Sequence, residues 1–204
     1  VSRPATPLPI ALAGFLGVAL NIVAVVALRA IPHTYAPGDV PAWLAETLAH
    51  PTASTVSAWA FTVGLVALAA FFAGFAATLR SSWVTVGAAF FAGGAMLDAA
   101  GTMAPIAALH VPQDVGVGLL WLSLLLDASF NFLLGVGLIA IFFGLPTDWP
   151  KWHRWLALAA GLLSLPVAGQ FASDDFARLL AVAGPLWLVW LTGASVIVLR
   201  RPSA

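Results

Sequence analysis

Six long stretches of this 204-residue chain run almost without charge, and the polar residues gather between them. A helix rises about 1.5 Å per residue and must cross about 30 Å of hydrocarbon, so a span needs about 20 mostly apolar residues. That criterion predicts spans at 8–30, 55–79, 83–109, 115–143, 153–170 and 176–199. The expected fold is all-α: a polytopic transmembrane helical bundle of six spans, one domain over 1–204. The turn His110-Val-Pro-Gln-Asp114 makes the third and fourth spans antiparallel neighbours. The fifth span is short and contains Pro166, and the sixth contains Pro185; neighbouring helices can satisfy the carbonyls such prolines free.

The largest loop, 31–54, breaks this pattern with a second periodicity. Asp39 is suited to cap a helix start and Pro41 to occupy its first turn. Val40, Trp43, Leu44, Thr47 and Leu48 then share a face, which predicts a short amphipathic helix on the exterior interface or over the bundle mouth.

Charge sets the expected orientation. Arg3, Arg80, Lys151, Arg154, Arg200 and Arg201 fall on one side of the predicted spans, and only Arg29 and Arg178 on the other. The first side, with both termini, is expected to be cytoplasmic, because basic residues resist translocation. Trp83, Trp149, Trp152 and Trp155 lie near its span ends, where amphipathic rings favour the interface, and His153 beside them reads as interfacial anchoring. Arg3 before an apolar run ending Ala-Leu-Arg-Ala also suits a signal peptide, but the run exceeds a usual h-region and more spans follow, so it is read as a span.

Composition adds exclusions. The chain is 62% hydrophobic and 8% charged, far below the roughly one quarter charged residues of a soluble domain, so the lipid bilayer is its expected partner. A net charge of zero leaves no basic surface for nucleic acid. With no cysteine there is no thiolate metal site or cysteine nucleophile, and Lys151, the one lysine, lies in a polar turn away from any buried Schiff-base position.

Against this apolar background the candidate chemistry is sparse. Asp98 lies eleven residues before the end of the third span and Asp127 twelve after the start of the fourth, so both are expected near mid-membrane. Carboxyls at that depth are costly and are functional candidates by default. Gly87, Gly94, Asp98, Gly101 and Pro105 form one helical stripe; Gly116, Ser123, Asp127, Asn131 and Gly135 form another. Small residues allow close approach and polar ones bond across it, so the stripes are expected to face each other or share a cavity. Gly14, Gly17 and Asn21 of the first span offer a third wall. The candidate ligand or proton site is therefore Asp98, Asp127, Asn131, Ser123 and Asn21; the alternative reading of the carboxyls is interhelical glue.

Other motifs carry less. His33, His50 and His110 are predicted on the exterior side with Asp39, Glu46 and Asp114, chemically suitable metal ligands without a recognised spacing. Gly135-Val-Gly-Leu-Ile-Ala140 fits a dinucleotide fingerprint formally, but it lies inside an apolar helix rather than after a strand. Nothing in the sequence names a cofactor.

The segment 37–45 (Pro-Gly-Asp-Val-Pro-Ala-Trp-Leu-Ala), the Asp-Ala-Ser-Phe-Asn of 127–131 followed by Gly-Val-Gly-Leu-Ile-Ala, and Gly144-Leu-Pro146 before Trp152-His-Arg-Trp155 resemble a broad family of six-helix bacterial membrane proteins known as a domain of unknown function. The resemblance implies a multi-pass protein of the bacterial cytoplasmic (inner) membrane and no catalytic residue. The favoured reading is a non-enzymatic structural or accessory component packed against other membrane subunits; the alternatives are a proton-coupled transporter or small-ligand binder using Asp98, Asp127 and Asn131, and an intramembrane enzyme, for which no nucleophile or metal constellation can be assembled.

Overall fold

Helical backbone satisfies its own hydrogen bonds, which is what an apolar sequence in lipid requires. The computed structural model describes residues 7–32, 38–170 and 173–201. Among them are seven α-helices and no strand: α1 (Pro7–Leu28), α2 (Val40–Ala49), α3 (Pro51–Leu79), α4 (Ser82–Ala108), α5 (Gln113–Gly144), α6 (Lys151–Val167) and α7 (Asp174–Arg200). Helices α1, α3, α4, α5 and the 178–200 part of α7 are long and apolar enough to cross a membrane. With 17 residues, α6 extends only about 25 Å and falls short of that length. Bulky apolar side chains nevertheless face outward all round the bundle, Leu16, Val66, Met96, Phe132, Leu162 and Val189 among them, as lipid contact demands.

The six longer helices close a ring in which each packs on two neighbours, in the order α1, α3, α4, α5, α6, α7 and back to α1. The start of α1 and the end of α7 emerge on the same side: Ile10 lies against Gly74 and Gly14 against Ser195, both near the far ends of their helices. The middle of the ring is aromatic. Phe72 stacks on Phe91 with centroids 4.2 Å apart, and Phe71, Phe75, Phe130, Trp149, Trp187 and Trp190 extend the cluster.

Two crossings explain Gly135 and Gly137 of α5. A Cβ on Gly87 of α4 would stand 2.5 Å from the Gly137 carbonyl oxygen, and one on Gly135 would stand 2.9 Å from that of Gly161 in α6. The formal fingerprint of 135–140 is therefore two backbone contacts, one to each neighbouring helix.

Helix α2 forms where the loop sequence predicts it, with the Asp39 carboxylate accepting the Ala42 N–H at 3.0 Å. It lies across α3, α4 and α5 at one end of the ring. Val40, Trp43, Leu44 and Thr47 are buried there, Leu44 against Gly116. Leu48, expected on the same face, is exposed instead: at 3.6 residues per turn it falls beyond the edge of the arc those four residues span. Two residues expected at the interface are also internal. His153 and Trp149 are fully buried, while Trp83, Trp152 and Trp155 remain exposed. Gly193 supplies the space, since a Cβ there would meet the His153 ring at 2.7 Å.

Candidate functional site

The antiparallel α4–α5 pair brings the two polar stripes face to face. Gly94 packs on Phe130 and Leu133, and Gly101 on Leu126 and the Ser123 carbonyl, which sets Asp98 opposite Asp127. The two carboxyl groups are direct neighbours within hydrogen-bonding reach. Asp98 is buried and Asp127 half-buried.

Asn131, one turn on from Asp127, donates its amide to the Asp127 carboxylate at 3.1 Å and to the Asp127 backbone carbonyl at 3.0 Å. The Gln170 amide donates to the same carboxylate oxygen as Asn131. Gln170 follows the end of α6 and is buried. Because α6 is short, its end meets Asp127 in mid-α5, and the chain leaves α6 beside the carboxyl pair. Asp98 Oδ1 and Ser123 Oγ are both buried without a hydrogen-bond partner. Asp127 thus has one carboxylate oxygen engaged by two amides, whereas the deeper Asp98 and Ser123 keep unsatisfied polar atoms, each of which costs about 1–3 kcal/mol when left so.

The fifth candidate, Asn21, is elsewhere. Its amide donates to the Gly17 carbonyl at 2.8 Å and lies against Gly64, at the α1–α3 crossing. It is a local helix contact, because α1 sits between α3 and α7 in the ring, away from α5. Gln170 is the residue sequence reasoning missed. The available signal was an amide at the end of the shortest apolar run, since a short helix ends deeper than its neighbours.

The exterior histidines do not assemble. His33 lies outside the described residues. His50 Nδ1 is 3.0 Å from the Glu46 carbonyl and 3.5 Å from its carboxylate, and His110 is exposed. Among the described residues no three His, Asp or Glu side chains could hold a metal together.

A second buried polar cluster lies where the chain was expected to meet the interface. Trp149 Nε1–H donates to His153 Nδ1 at 2.8 Å, which leaves the ring hydrogen on Nε2 to be donated to the Trp190 carbonyl, also at 2.8 Å. The imidazole stacks on Trp190 with centroids 5.2 Å apart. At the mouth of this cluster Arg201 pairs with Asp148 at 3.1 Å and lies 4.8 Å over the Trp149 ring.

Two concavities occur away from both clusters. One, of about 20 Å³, lies under α2 among Trp43, Thr47, Ser54, Ser57 and Thr102; the other, of about 730 Å³, lies along α3 and α4 toward Arg80. Comparison with protein-family models, curated proteins and solved structures finds no match to this chain. Its function is therefore argued from its own geometry.

Proposed function

We propose that this chain is a six-span protein of the bacterial cytoplasmic membrane, with both termini cytoplasmic, that binds a proton or small cationic ligand at Asp98 and Asp127. The closed ring supports six spans, since α6 fills a full place in it between α5 and α7 despite its length. The orientation rests on Arg80, Lys151, Arg154, Arg200 and Arg201 gathering at one end of the bundle.

The observation that carries the binding reading is the contact between two carboxyls on adjacent helices, joined by an amide from a third. Two ionised carboxylates at that separation repel strongly in an apolar surround, and a single proton or cation between them removes the repulsion. Gln170 and Asn131 can donate only to an ionised or acceptor oxygen, so they favour the charge on Asp127 and the proton toward Asp98. A proton-coupled carrier or a small-ligand binder needs such a site.

A second reading, a structural or accessory membrane component, draws support from the glycine crossings on both sides of α5 and from the two concavities lying away from the carboxyls. In that case the pair ties α4, α5 and α6 together and nothing more.

Proteoliposomes under an imposed pH gradient separate the two. Binding and transfer predict proton entry above that of protein-free vesicles, lost in Asp98→Asn and Asp127→Asn while both variants stay folded. A flux equal to that of empty vesicles, with no cationic solute raising the unfolding temperature of the wild type, would leave the accessory reading.

A further inference from the structure

The 730 Å³ concavity on the outer face of α3 and α4 has the volume of a small-molecule site and the lining of a lipid one. Its walls are alanines: Ala73 and Ala77 of α3 and Ala89 and Ala92 of α4 are exposed or half-exposed along it. Along the rest of these helices the outward positions carry Val63, Val66, Val86 and Met96, which stand well out from the backbone. The groove runs from Ala69 to Arg80, eleven residues or about 17 Å of helix. It is thus a trough about as long as an acyl chain on a surface that faces hydrocarbon.

The trough ends at a cation. Arg80 is exposed, lines the groove and has no ion pair among the described residues. The neighbouring Ser82 hydroxyl lines the same end. Arg80 is also the one non-glycine residue among those described with a positive φ, 51°, at the C-cap of α3. Glycine or asparagine ordinarily takes that conformation, so arginine serves the turn poorly and its side chain needs another account.

From the alanine trough and the unpaired guanidinium at its polar end, the structure assigns this groove to an anionic phospholipid, with one acyl chain between α3 and α4 and the phosphate on Arg80. A phosphodiester offers the guanidinium two acceptor oxygens, and a net negative headgroup leaves its charge uncompensated by a choline or similar cation. The occupant is a lipid rather than a protein helix because the groove is polar at one end only, at the level where headgroups lie.

Native mass spectrometry of the full chain in mild detergent tests this with phosphatidylglycerol and phosphatidylcholine of identical acyl chains. Phosphatidylglycerol should be retained about fivefold more than phosphatidylcholine, the preference one arginine gives toward an anionic lipid. Arg80→Gly, which suits the positive φ and so keeps the fold, should abolish the preference. Arg200→Gln, remote from the groove, should preserve it. Ala77→Leu with Ala89→Leu should fill the trough and reduce retention of both lipids. Equal retention of the two lipids by the wild type, an undiminished preference in Arg80→Gly, or full retention in the leucine variant would each overturn the assignment and leave Arg80 as a topology signal alone.

Discussion

The bundle holds two buried polar clusters, and they are built on opposite terms. Around His153 each ring nitrogen has one partner at 2.8 Å, so the imidazole itself is satisfied in its neutral form among Trp149, Trp190 and the phenylalanines of the core, and the atom left unpaired is the Trp190 Nε1–H, a donor. Around Asp98 and Asp127, two acidic groups touch, Asp127 is bonded by two amides, and Asp98 Oδ1 and Ser123 Oγ have no partner. An unpaired indole N–H offers nothing to a proton or cation, whereas unpaired carboxyl and hydroxyl oxygens beside a second carboxyl store a cost that a proton, cation or water can relieve. Burial alone does not distinguish architecture from a site; whether the unpaired atoms are acceptors that a proton or cation can bind does.

That contrast predicts opposite mutational signatures. The largest effect belongs to His153→Leu, which leaves the Trp149 N–H unpaired and the Trp190 carbonyl one donor short. It should cost about 3 kcal/mol in reversible unfolding from detergent, with proton flux unchanged for whatever fraction remains folded. A loss under about 1 kcal/mol would mean that aromatic packing alone holds this end of the ring. Next is Gln170→Ala, which deletes a buried amide that ties the end of α6 to α5 and leaves a small cavity. The expected cost is about 2 kcal/mol, measured in the same way, together with faster hydrogen exchange of the last turn of α6. Trp149→Phe keeps the ring and removes only the donor to His153 Nδ1, so about 1 kcal/mol is expected. The cycle with His153→Leu should be strongly non-additive, because both variants remove the same Trp149–His153 bond.

Asp98→Asn should have the smallest effect on stability, within about 0.5 kcal/mol, because an asparagine amide can donate to Asp127 in place of the protonated carboxyl. Its signature lies in infrared spectra. A protonated-carboxyl band present in the wild type at neutral pH should vanish in Asp98→Asn, and an unchanged spectrum would place the proton elsewhere. If instead Asp98→Asn destabilised the chain as much as His153→Leu, the two clusters would be the same kind of structure and the pair would be glue.

Much of this was legible along the chain because hydropathy is local. The spans predicted at 8–30, 55–79, 83–109, 115–143 and 176–199 correspond to helices α1, α3, α4, α5 and α7, and Asp39 with Pro41 marked the start of α2. The facing stripes of α4 and α5 were legible too, since a short turn enforces antiparallel pairing and a shared helical face needs only spacing. Gln170 and Asn21 were not. Whether either meets Asp127 depends on which helices are neighbours in the ring and where they cross, and those are decided by pairs such as Gly135 with Gly161 and Gly17 with Leu68, far apart in sequence. His153 misled for a related reason: beside three tryptophans and an arginine it reads as an anchor, and only the gap at Gly193 in another helix lets it turn inward.

The sequence by itself determined an apolar helical chain, its long spans, the capped α2 helix and the pairing of two polar stripes, because each follows from summed transfer energies and fixed helical periodicity. The tertiary structure alone decided that six helices close a ring, that a short α6 delivers Gln170 to Asp127, and that His153 is core. Those outcomes depend on backbone approach between helices, where a single missing Cβ shifts contacts by ångströms and where no term in the local sequence records which partner will fill the space.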